Sequence, residues 1–121
     1  GSNVQSIALS KSNKNVAAAD LHGLYVWDEP LAEKLTVKDQ YGNEFISEKD
    51  KREDTLKYAD LLGLTYSVKV TDWGDAKTTD QIVIDSETGQ LNASNIGSIK
   101  SFDIVITAPN GTSATFSVYV Y

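Results

Sequence analysis

Toward its C-terminal end the chain alternates apolar and polar residues with a period of two. Phe102, Ile104 and Ile106 alternate with Ser101, Asp103, Val105 and Thr107, and Ala114, Phe116, Val118 and Val120 alternate with Ser113, Thr115, Ser117 and Tyr119. Successive side chains of a strand point to opposite faces, so each run predicts a strand with one buried face. Between them lies Ala108-Pro109-Asn110-Gly111, in which Pro presets the first central dihedral, Asn tolerates the second and Gly can turn left-handed. Together they predict a hairpin. Tyr66, Val68 and Val70 form a third alternating run that ends at Asp72-Trp73-Gly74-Asp75, and Ile82-Val83-Ile84 and Gln90-Leu91-Asn92 flank a turn at Asp85–Gly89. Leu35 and Val37 alternate into the turn Asp39–Glu44. Val4 to Leu9 reads as a first strand, and Leu24-Tyr25-Val26-Trp27 as a short extra one closed by Pro30, whose ring restricts Glu29. Val37, Tyr66, Val68, Phe102, Ile104, Ile106, Phe116 and Val118 are the expected core.

From Ser47 to Leu62 the period of two is lost. Glu48 stands four before Arg52 and Glu53 four before Lys57, Leu56, Ala59 and Leu62 share one helical face, and Gly63 stands where a helix C′ residue would. The segment predicts a helix of two to four turns, with an irregular surface excursion as the alternative. Each such ion pair contributes only ~0.3 kcal/mol, so packing decides. About seven short strands with one helical or irregular insertion imply an all-β sandwich, since parallel α/β folds need a helix between successive strands. No internal repeat is visible. Gly1-Ser2 reads as an expression scar left by tag removal, which leaves one expected domain over residues 3–121, with insertions near 20–30 and 47–62.

Composition narrows the function more than the fold. The 121 residues include 17 acidic and 11 basic side chains, for a net charge of −6, with no cysteine and one histidine. Disulfides and cysteine metal sites are excluded. Nucleic acid is disfavoured, because phosphate neutralisation needs a basic face and no basic run exceeds Lys51-Arg52. No stretch approaches the ~20 apolar residues of a membrane span. Nucleophilic catalysis would rest wholly on His22, which has no serine motif beside it and no cysteine to act on. Seventeen acids supply carboxylate pairs without selecting one, so the chain reads as non-enzymatic.

Three surfaces remain as candidates. Asp72, Asp75, Asp80 and Asp85 cluster about one predicted strand end, and oxygen ligands are what calcium takes. Their spacing fits no EF-hand loop, and solvated turn formers are the commoner use of such residues. No cofactor is expected, a structural calcium being the one alternative. Tyr25, Trp27 and Trp73, with Tyr41 or Tyr58, could form a platform on which sugar rings stack, although a tryptophan is commonly a core residue in such sandwiches. Tyr119 and Tyr121 share a side with Val105 and could contact an adjacent domain. Asn92-Ala93-Ser94 and Asn110-Gly111-Thr112 match the N-glycosylation pattern, which is read only in eukaryotic secretion.

Leu35-Thr36-Val37-Lys38-Asp39-Gln40-Tyr41-Gly42-Asn43, a strand running into a turn, resembles the second-strand signature of immunoglobulin-like domains in Gram-positive bacterial surface-layer proteins. The Ala108-Pro109-Asn110-Gly111 turn with its closing strand Val118-Tyr119-Val120, and the hairpin about Asp85 and Gly89, are similar to the same family. The resemblance spans about two-thirds of the chain and rests on turns, which specify a fold better than an activity. It implies an immunoglobulin-like sandwich, a secreted location in the bacterial cell wall, and self-assembly through contacts with neighbouring domains and other copies. Ten Lys to one Arg and the absence of cysteine fit that habit. A carbohydrate-binding or adhesin-type module on cell-wall polysaccharide is the alternative. Calcium often stiffens module junctions in this family, but no motif here identifies ligands.

Overall fold

The computed structural model describes all 121 residues. Nine strands, one 3-10 turn and one helix follow in the order β1 (Val4–Leu9), β2 (Asn13–Val16), the 3-10 turn Ala18–Asp20, β3 (Leu35–Asp39), β4 (Glu44–Ile46), α1 (Arg52–Leu61), β5 (Thr65–Asp72), β6 (Val83–Ile84), β7 (Leu91–Asn92), β8 (Ser101–Thr107) and β9 (Ser113–Val120). One sheet has the order β1-β3-β4, a second β2-β9-β8-β5, and β6-β7 form a separate hairpin. About seven strands are expected and nine are present: both arms of the small hairpin form as expected, β2 and β4 form in addition, and Leu24–Trp27 does not form.

The alternating runs account for the second sheet. Ile104 stands opposite Phe116 and Phe102 opposite Val118, while Tyr66 and Val68 stand opposite Ile106 and Ile104. Their inward side chains meet Leu35, Val37 and Ile46 of the other sheet in one apolar cluster. Phe102, Ile104, Ile106, Phe116 and Val118 have no exposed surface, and burying each such side chain stabilises by about 1.5–3 kcal/mol. Of the expected core residues only Val68, on the edge strand β5, stays half-buried, whereas Tyr66 on the same strand is covered by Trp27 and Gly89.

The strand β2 has no alternation to announce it. After Leu9 the chain leaves the first sheet and lays Asn13–Val16 parallel to β9, with Val16 beside Val120. A strand that switches sheets in this way closes one side of two packed layers.

The helix starts later than its charge pattern suggests. Asp50 Oδ2 accepts from the Ser47 N–H at 2.8 Å and Ser47 Oγ from the Lys49 N–H at 3.3 Å, and such local bonds compete with helix formation. The segment is therefore irregular to Lys51 and helical from Arg52 to Leu61. Thr55 and Ala59 are buried, Leu56 and Leu62 pack partly on the core, and Gly63 takes a φ of 70° just past the end. Glu48 lies outside the helix and pairs with no arginine, and Glu53 and Lys57 form no ion pair.

The two ends of the chain lie at opposite poles. Val4 pairs with Asp39 and accepts from Asn110 Nδ2 at 2.7 Å, so the first strand begins beside the β8–β9 turn. From that turn β9 runs its eight residues, about 26 Å, to the far pole, where the Tyr121 N–H donates to the Val16 carbonyl.

Candidate functional site

Residues 21–34 fold around one carboxylate. Asp28 Oδ2 accepts from the Tyr25 N–H at 2.8 Å, and the Asp28 carbonyl accepts from Leu31 and Glu33. These bonds wind the segment into successive tight turns that bury Leu21, Val26, Leu31 and Ala32 completely. The expected strand at Leu24–Trp27 is therefore absent: Tyr25, Val26 and Trp27 are buried by turns, and the Leu24 and Tyr25 N–H groups are spent on the Leu21 carbonyl and on Asp28. Glu33 ends the segment with a φ of 77°, a conformation that costs a non-glycine residue about 1–3 kcal/mol and persists only where the surroundings fix it.

Arg52, at the first turn of α1, closes this segment. Its Nε lies 2.5 Å from Asp28 Oδ1 and its Nη2 3.0 Å from Oδ2, a bidentate fork, and its guanidinium sits 4.7 Å above the Tyr25 ring. Tyr25 stacks on Trp27 at 5.3 Å with an interplanar angle of 8°, and Trp27 meets Tyr66 of β5 at 5.9 Å and 55°. A column of one cation and three rings thus ties α1 to the second sheet. Burial pushes the Tyr66 phenol well above its ordinary range. Gly89 approaches the same ring so closely that a Cβ there would lie 2.8 Å from Tyr66, and its φ is 80°.

The column corrects the sugar-platform expectation for two of its members. Tyr25 and Trp27 are buried and their faces are covered by Arg52, by each other and by Tyr66. Trp27 Nε1 is also the one buried side-chain polar atom without a hydrogen-bond partner. Beside the column lies an open cleft of about 470 Å³, bordered by Leu24, Pro30, Lys34, Asp50 and Thr55. Trp73 lies at the far end of β5, seven residues from Tyr66, a span of about 23 Å along a strand. The two tryptophans share no surface.

Three of the four aspartates act as turn formers. Asp72 Oδ1 accepts from the Gly74 N–H at 2.8 Å, Asp80 Oδ2 from Lys77 and Ser98 at 2.9 and 3.2 Å, and Asp85 Oδ1 from Glu87 and Thr88, both at 2.9 Å. The bonds from Thr88 and Glu87 hold the Asp85 carboxyl below its ordinary range. No three acidic or histidine side chains are gathered as metal ligands would be. Asp39 plays the same part in the β3–β4 turn. Burial alone raises its pKa, but the N–H groups of Asn43 and Tyr41 outweigh that and hold the carboxyl low. His22 Nδ1 accepts from the Ala93 N–H at 3.1 Å, an anchor between the 21–34 segment and the small hairpin.

Trp73 and the two tyrosines expected at a contact surface, Tyr119 and Tyr121, lie at one end of the second sheet. Asp72, Ser101 and Tyr119 stand in register across β5, β8 and β9, and the Lys100 N–H donates to the Asp72 carbonyl. Trp73, Tyr119 and Tyr121 at this C-terminal pole are 54, 49 and 80% exposed. At the opposite pole Leu61 and Tyr41 are 74 and 72% exposed. Leu61 was not foreseen, since it lies off the apolar helical face, and Asp28 was missed because nothing in its neighbourhood signals burial. The signal for Arg52 was compositional: one arginine among ten lysines marks a site where a planar, stacked fork is needed. The chain matches no protein-family model and no curated protein sequence.

Proposed function

We propose that the chain is an immunoglobulin-like sandwich module of a secreted bacterial cell-surface protein, serving as a spacer and contact element in a self-assembling surface layer. The observation that carries this reading is the placement of Val4 and Tyr121 at opposite poles, joined by the full length of β9. Modules linked through such ends extend in line instead of folding back, which is what a spacer requires. The sheets support it as well. Three strands pack against four, and β5, β8 and β9 lie side by side in one sheet, an arrangement that suits the C, F and G strands of an immunoglobulin-like fold. The exposed aromatics sit at a pole, where a neighbouring module would meet them.

Limited digestion of intact cells that express the chain tests the reading. Peptides of this domain should be released from the cell surface and recovered with the wall fraction. Recovery only from the cytosol would overturn it.

A further inference from the structure

We propose that Asn110 is a self-modification site gated by the first strand: once β1 lifts from the β8–β9 turn, the Asn110 side chain cyclises onto Gly111, and a bond between the two sheets is permanently lost. Asparagine is a thermally labile residue, and of the seven in this chain Asn110 alone precedes a glycine. The residues that follow the other six all carry a Cβ, which crowds the backbone nitrogen that would attack. Gly111 has none, and nothing lies within 4 Å of where one would stand, so its nitrogen is open to close approach. Both residues are exposed, and an open cleft of about 250 Å³ bordered by Asn3, Val4, Pro109 and Asn110 brings water to them. The reaction needs nothing else. The Gly111 nitrogen attacks Asn110 Cγ, an N–C bond forms, the Cγ–Nδ2 bond breaks, and Nδ2 leaves as ammonia with the proton that Gly111 gives up. Water then opens the five-membered ring at either carbonyl, leaving an aspartyl or an isoaspartyl residue; one water is consumed and one ammonia released.

In the fold every reacting group is held. Asn110 Nδ2 donates to the Val4 carbonyl at 2.7 Å, Asn110 Oδ1 accepts from the Thr112 N–H at 3.1 Å, and the Gly111 N–H donates to the Ala108 carbonyl at 2.9 Å. Attack requires the Gly111 nitrogen to be free and Cγ to turn toward it, so the chemistry waits for these bonds to open. Val4 meets Asp39 beside a register shift, and Gln40 steadies this start of β1 by accepting from the Asn3 N–H at 2.8 Å and donating to the Gly1 carbonyl at 2.7 Å. Because β1 belongs to the first sheet while β8 and β9 belong to the second, the Asn110–Val4 bond joins the sheets at this pole. The product carboxylate has no N–H to offer the Val4 carbonyl, and two acceptors then face each other. An isoaspartyl residue also adds a methylene to a turn closed by the Ala108 N–H on the Thr112 carbonyl at 2.8 Å. A reversible opening thereby becomes permanent.

Peptide mapping by mass spectrometry of the whole chain, aged at mildly alkaline pH both folded and in urea, tests it. In urea the Asn110 peptide should gain the mass of an amide NH2 replaced by OH before any other asparagine peptide does. In the fold the same gain should proceed about tenfold or more slowly, because a reaction of the opened state tracks the population of that state. Gln40→Ala, at an exposed residue that touches neither Asn110 nor Gly111, should speed the folded reaction by loosening the start of β1. Chain aged to completion should melt at a lower temperature than fresh chain, and Asn110→Asp should reproduce part of that loss without ageing. Another asparagine reacting first in urea, no gain in the fold, equal rates folded and unfolded, a folded rate untouched by Gln40→Ala, or aged chain that melts like fresh chain would each overturn the proposal. The chemistry does not depend on where the chain resides, so it stands or falls apart from the module reading.

Discussion

The second sheet and the 21–34 segment lie in the same core and are held there by different physics. In the sheet, Phe102, Ile104, Phe116 and Val118 are buried because alternation puts them on one side of a ladder whose polar backbone is already paired. In the segment, Leu21, Val26 and Leu31 are buried just as completely with no ladder. There the backbone is satisfied by Asp28 and by turn bonds, and the carboxylate is in turn answered by Arg52. Burial without a sheet thus depends on a few polar contacts, each of which matters more than any single rung of the ladder.

Substitutions should separate the two regions. The largest loss is expected in the sheet: Phe116→Ala removes a fully buried ring and should cost about 3–5 kcal/mol in denaturant unfolding. A midpoint unchanged within error would mean that the assigned face is wrong. Next comes Arg52→Ala, which strands a buried carboxylate and should cost about 2–4 kcal/mol, below the full figure for a buried pair because the arginine is half exposed. Arg52→Lys should recover only part, because an ammonium can neither fork onto both oxygens nor stack flat on Tyr25; full recovery would reduce the contact to simple charge. Trp27→Phe keeps a ring in the column and deletes the orphaned donor, so the lost area and the relieved polar group should offset each other to within about 1 kcal/mol.

The smallest effect is acidic. Asp39 and Asp85 titrate below their ordinary value of 3.8 in the fold, so the unfolded chain takes up these protons first as the pH drops. Their contribution is complete above that value and is lost as pH falls from it through the lower folded values. The melting temperature should therefore decline on acidification below about pH 5, and Asp85→Asn should flatten the decline. An identical slope in that variant would assign the acid sensitivity elsewhere.

The same comparison explains what the sequence makes legible. Where one face is wet, as in β5, β8 and β9, the period of two reports the fold directly, and the Asp39, Asp85 and Pro109-Asn110 turns report the reversals between strands. Asn13–Val16 forms a strand only because β9 offers it an edge, a tertiary cause with no local signature. Leu24–Trp27 carries strand-forming residues, but Asp28 takes the Tyr25 N–H and the chain turns instead. Exposure obeys the same division. Tyr119 and Tyr121 alternate away from buried neighbours and could be placed outside, whereas Trp27 and Trp73 are alike in composition and opposite in burial.

The proposal that this is a spacer module, resting on ends that lie at opposite poles, is most directly tested by small-angle scattering from two copies joined head to tail. An in-line arrangement predicts a rod whose maximum dimension is about twice that of one copy, at low and at high salt, because the joined ends leave the domain at opposite poles. A compact particle with the copies side by side, or one that collapses when their mutual repulsion is screened, would contradict it.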